Sequence, residues 1–213
     1  MIDIYIYKKN NKNMLQIQFN ENTYDNVPEN YSELTLGRFM EVSEINQKDY
    51  KSTTEWTVVL VSKIIGCPKE NLYELPFNDL NALLEEFKWI TETPKKMNNR
   101  SVEIDGVKYV MKENTQLTTG EWISIESFLT DDMKNEKNFH LVLAIMLRPE
   151  VDGKMQPLEN DYNKILERAA IFKNKLTIDK CYGMIEAFSN GAKKSTLKIS
   201  KASSTQKEQK EAN

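Results

Sequence analysis

The chain repeats itself, and that constrains its fold more than any other feature. Leu34-Thr35-Leu36-Gly37-Arg38-Phe39-Met40 is answered 83 positions later by Leu117-Thr118-Thr119-Gly120-Glu121-Trp122-Ile123. From Phe39 to Trp56 is 17 residues, and from Trp122 to Phe139 is 17 again. The best match pairs Asn78–Glu85 with Asn160–Glu167, where five of eight positions are identical. Thr, Asn and Asp start helices in any protein, so part of this is ordinary capping grammar. Spacing kept across three elements points beyond grammar to structural duplication. A length of 213 residues suits one large domain or two halves of roughly 100, each burying a modest core.

Local patterns fill in the repeat. Ile2, Ile4 and Ile6, then Leu15, Ile17 and Phe19, alternate as two strands around a polar turn over Lys8–Asn13. Helices are predicted over Ser32–Asn46 with Thr35 as N-cap, from a Ser52/Glu55 capping box to Gly66, and over Asn78–Thr91. The third carries Leu80, Leu83, Leu84, Phe87 and Ile90 as its apolar stripe. The pattern then restarts with a hairpin over Ser101–Met111, turned by Asp105-Gly106, which supplies the positive φ angles of a two-residue turn. Helices follow over Thr118–Leu129, Asn135–Leu147, Asp161–Lys173 and Ile178–Ser189. The expected fold is α+β and predominantly helical: two pseudo-repeated halves, each a β-hairpin followed by three helices, plus a C-terminal helix and an extended tail. The expected divisions are 1–92, 93–191, and a basic polar arm over 192–213.

Composition excludes several classes of function. One histidine, His140, leaves little histidine-based catalysis, and Cys67 and Cys181 lack the pairing that a disulfide framework or zinc site requires. The longest apolar run, Leu141–Leu147, is far short of the ~18–20 residues of a membrane span. Met1–Tyr7 has no basic flank, so a secretory leader is not expected. Phosphate-loop, dinucleotide, nucleophile-elbow and zinc-helix motifs are all absent from a chain with seven glycines. Lysine outnumbers arginine 25 to 4, the opposite of what bidentate base readout favours.

The remaining candidates are sparse. Acidic pairs at Asp131-Asp132, Glu150–Asp152 and Glu159–Asp161 read first as solvated loops and caps, though such pairs can hold magnesium. Glu103, Asp105 and Lys108 weakly resemble a nuclease cluster, but turn chemistry accounts better for Asp105. The tail over 192–213 holds six lysines and two glutamates, net +4, against −7 for residues 1–191 of a chain whose total is −3. Within it Lys193, Lys194, Lys198 and Lys201 surround Leu197 and Ile199, which make a candidate anchor for a neighbouring surface. Trp89 and Tyr73 fall off the core stripes and are candidate interface aromatics, with a semi-buried core role as the plainer alternative.

Ser32–Ile45, Leu72–Phe87 and above all Ile104–Phe128 resemble a group of small α+β virion or tail-assembly proteins of Bacteroidetes phages, crAss-like phages included. The resemblance covers most of residues 30–190 and is carried by hydrophobic grammar. It implies a non-enzymatic protein without cofactor or metal: a ring or connector component at the head–tail junction, or alternatively a tail assembly chaperone. It implies a virion location after assembly in the bacterial host, a homo-oligomeric ring in contact with other virion proteins, and no membrane. From other classes, a small carboxylate- or metal-dependent enzyme and a nucleic-acid-binding module using the lysine-rich tail remain open.

Overall fold

The computed structural model describes residues 4–8, 14–95, 100–128, 136–186 and 188. Over these residues the chain is α+β and helix-rich, with two small antiparallel sheets of three and four strands. The first sheet runs β1 (Ile4–Lys8), β2 (Met14–Phe19), β3 (Asn22–Pro28), in that spatial order. Leu15, Ile17 and Phe19 point from the central strand into the core and are at most 1% exposed. β3 was not expected. Only Val27 and Pro28 at its end are buried, so it shows none of the alternation by which strands are recognised. The expected turn around residues 9–13 lies outside the described residues.

The first two helices begin where their caps direct, whereas the next two begin after Pro68 and Pro76 without a capping side chain. α1 (Leu36–Ser43) starts at Thr35, whose hydroxyl accepts the Arg38 amide at 3.4 Å. α2 (Thr53–Ile65) starts at Ser52, which accepts the Glu55 amide at 3.1 Å, but Glu55 reaches past Ser52 to the Lys51 amide at 3.0 Å. It ends at Gly66 with φ 82°, the left-handed residue that stops a helix. A short α3 (Lys69–Tyr73) precedes α4 (Phe77–Glu86), and Lys88–Thr91 continues as a 3-10 turn rather than as helix.

The second half also opens on a hairpin followed by helices, but it has no counterpart of β3 or α3 and it inserts a second hairpin. β4 (Ser101–Ile104) and β5 (Val107–Met111) turn at Asp105 and Gly106, with φ of 52° and 76°. α5 (Thr119–Phe128) opens on a reciprocal capping box between Thr118 and Glu121. α6 (Phe139–Met146) runs straight into β6 (Leu147–Val151), which pairs with β5, and β7 (Lys154–Met155) folds back on β6. That hairpin was read as an acidic loop. Its turn is a second Asp-Gly, Asp152 and Gly153, at φ 50° and 73°. α7 (Tyr162–Lys175), capped by Asp161, and α8 over 178–186 complete the described chain.

Two apolar clusters underlie these halves. One is built from Leu15 to Phe87, the other mainly from Val102 to Phe188. α1 joins them: Val42 belongs to the first, whereas Leu34, Leu36 and Met40 lie in the second. Backbone bonds hold it there, from the Leu36 amide to the Leu176 carbonyl (2.7 Å) and from the Ile178 amide to the Leu34 carbonyl (3.0 Å). The crossing is so close that a Cβ on Gly37 would lie 2.8 Å from the Lys173 carbonyl oxygen. At Gly120, its counterpart in the repeat, nothing comes within 4 Å.

Candidate functional site

The densest polar chemistry surrounds the end of α6. This very apolar helix passes into β6 without a glycine, so its last four carbonyls need partners from elsewhere. The Leu143 carbonyl takes the Leu147 amide. The Ala144 carbonyl takes Nε and Nη2 of Arg168 at 3.0 and 2.8 Å. The Ile145 carbonyl takes Nε of Arg148, and the Met146 carbonyl takes the Lys112 amide at 2.9 Å. All four are satisfied.

The arginines that do this are themselves neutralised. Arg148, 1% exposed, donates Nη2 to Glu121 at 2.7 Å. Lys112 Nζ reaches the other Glu121 oxygen at 2.8 Å, and the Thr118 amide reaches it at 2.7 Å. Arg168 makes a two-pronged pair with Glu159 at 2.5 and 2.8 Å. Burial alone would raise the Glu121 carboxyl, but the bonds from Lys112, Thr118 and Arg148 hold it down at about 2. The Glu159 carboxyl is also lowered, chiefly by its bonds from Arg168. Glu121 thus has no proton to give near neutral pH, and both its oxygens are taken. The cluster is a clamp on a helix end. Its sequence signal was an arginine set directly after the most apolar run of the chain.

The residues singled out for catalysis disperse. His140 is half-buried, and burial followed by the nearby Lys173 lowers its pKa, leaving the ring neutral at pH 7. Burial pushes the thiols of Cys67 and Cys181 up to about 12, far from the thiolate state that a nucleophile needs. Lys108 stands opposite Glu103 in the hairpin but pairs with Glu150 at 2.7 Å, and Asp105 pairs with Lys175 at 2.5 Å. No group of three His, Cys, Asp or Glu side chains among the described residues is placed to hold a metal ion. Asp131 and Asp132 lie outside them.

Among the described residues, two of the grooves open on the first half. One, of about 400 Å³, lies beside the end of α2 among Arg38, Glu41, Lys63 and Cys67. Arg38 is already committed there, donating Nη1 to the Ile64 carbonyl at 2.8 Å. The other, of about 300 Å³, is apolar, with Val58, Leu72, Leu75 and Leu80 as its floor between the start of α2, α3 and α4. Tyr73 and Phe77 line it and are 47% and 67% exposed. Tyr73 therefore lies off the core, as expected, and its side chain is exposed at the groove. Phe77 was missed, although its place outside the α4 stripe was the available signal. Trp89 instead packs half-buried against both cores, edge-on to Tyr31 at 5.0 Å. Leu197, Ile199, Lys193, Lys194, Lys198 and Lys201 lie outside the described residues.

No helix among the described residues is long and apolar enough to cross a membrane. No protein-family model, curated protein or solved structure matches the chain.

Proposed function

We propose that the chain is a non-enzymatic structural protein of a phage particle, a ring or connector component at the head–tail junction. Two lines of support differ in kind. The particle setting rests on the resemblance of Ser32–Ile45, Leu72–Phe87 and Ile104–Phe128 to virion and tail-assembly proteins. Work by binding rather than by chemistry rests on the open apolar groove lined by Tyr73 and Phe77, which carries the proposal. Exposed aromatics beside an apolar floor are what interface anchors look like before their partner arrives. The best-connected ionisable groups, Glu121, Arg148, Arg168 and Glu159, support this reading by serving the fold.

The test is where the protein ends up. Purified particles should contain it in a fixed ratio to the other head–tail junction proteins, measured by quantitative mass spectrometry. A tail assembly chaperone would be abundant in the infected cell and missing from finished particles. Metal-dependent hydrolysis by the purified chain, abolished by a substitution that leaves the fold intact, would replace the structural reading with an enzymatic one.

A further inference from the structure

We infer that the groove lined by Tyr73 and Phe77 is the receptor for the C-terminal arm of a neighbouring copy, which inserts Leu197 and Ile199. This rests on the ring reading above and names the contact that would join one subunit to the next.

The groove is apolar but its surroundings are acidic. Residues 70–86, which form most of its α3–α4 wall, carry Glu70, Glu74, Asp79, Glu85 and Glu86, flanked by Lys69 and Lys88, the latter paired with Glu85 at 2.7 Å. Glu55 lines the groove from α2. The arm has the complementary pattern, with Lys194, Lys198 and Lys201 around Leu197 and Ile199 in a segment of net +4. In an extended strand, residues two apart share a face, so Leu197 and Ile199 can enter together while Lys198 turns toward the acidic rim. At ~3.3–3.6 Å per extended residue, the nine residues from Phe188 to Leu197 reach about 30 Å, enough to leave the parent subunit.

Donor and acceptor also lie on different parts of the chain. Phe188, the last described residue before the arm, packs in the core built mainly from Val102 onward, whereas the groove opens over the core built from Leu15 to Phe87. Two distinct surfaces that complement each other make a head-to-tail contact, and head-to-tail contacts generate rings when the rotation closes. Apolar insertion supplies affinity, and the lysine–carboxylate contacts supply encounter rate and register.

A photo-crosslinking side chain placed at position 197 of the full-length protein tests this. Equal amounts of ¹⁴N- and ¹⁵N-labelled chains are mixed at a dilution where the oligomer dissociates, reconcentrated and irradiated, and the cross-linked peptides are read by mass. The expected product joins the arm to the peptide containing Tyr73 and Phe77, with half of the products carrying mixed labels. Products of single label only would mean that the arm folds back on its own subunit, and cross-links elsewhere would mean another receptor. Either result overturns the inference. In full-length chains, F77S and L197D should each weaken self-association at least ~10-fold by sedimentation velocity. E74K should weaken it less and be rescued by K198E. Phe77 and Glu74 are exposed, so these variants keep the fold. The cross-link uses protein in solution and the ring reading is tested in particles, so either can fail without the other.

Discussion

At the scale of residues, the account turns on a few side chains that stand where the backbone has no other partner. Gly37 and Gly120 occupy matching places in the repeat, yet only Gly37 is pressed against another element. G37A should cost about 1–3 kcal/mol, because a methyl group forces α1 away from α7. G120A should be neutral or gain up to ~1 kcal/mol from helix propensity. Urea melts of the two variants separate a packing glycine from an inherited one. Glu121 gives a pH signature. Its pKa is depressed from 4.5 to about 2 in the folded protein, so its contribution is complete above about 4.5 and is lost as pH falls toward 2. Unfolding midpoints between pH 6 and pH 3 should fall in the native chain, and E121Q should lack that part of the fall. A parallel decline in the variant would mean that other carboxylates dominate.

At the scale of elements, the α6–β6 junction is the most exacting part of the fold. Replacing Arg168 by Met strips the Ala144 carbonyl of both donors and leaves Glu159 without its partner. A loss of about 3–5 kcal/mol is expected, with hydrogen exchange speeding first in α6 and β6. A loss under about 1 kcal/mol would show that water replaces the arginine. The legible elements were those with local causes. Thr35, Ser52, Thr118 and Asp161 each mark a helix start because a cap bonds within three residues of itself. Asp105-Gly106 marks its hairpin for the same reason. The unread elements owe their form to distant partners. β3 is a polar strand held by β2, and β6 is the exit of an apolar helix recruited to β5. Asp152-Gly153 carried the same turn signal as Asp105-Gly106 but stood among acids and was read as solvent-facing. The arginine clamp joins residues from 112 to 168, and its one local sign is Arg148 set directly after the apolar run Leu141–Leu147.

At the scale of the whole molecule, each half opens on antiparallel strands and continues into helices, but β3 and α3 in the first and the β6–β7 hairpin in the second break the expected hairpin-plus-three-helices order, and α1 binds the two cores together. Burial at the matched positions shows how far the halves have parted. Leu83 and Ile165 are both buried, but Leu80 is buried where its counterpart Tyr162 is 53% exposed. The same grammar thus yields one half with an open apolar groove and another with a clamped helix–strand junction. Division of this kind suits a subunit that presents one surface and reaches out with another. The central claim, that the chain is a building block which assembles with copies of itself, is met most directly by native mass spectrometry of the full-length protein across micromolar concentrations. One closed oligomer of fixed subunit number, weakened by F77S or L197D, is the predicted result. A monomer at every concentration, with no copy of the chain in purified particles, would contradict it.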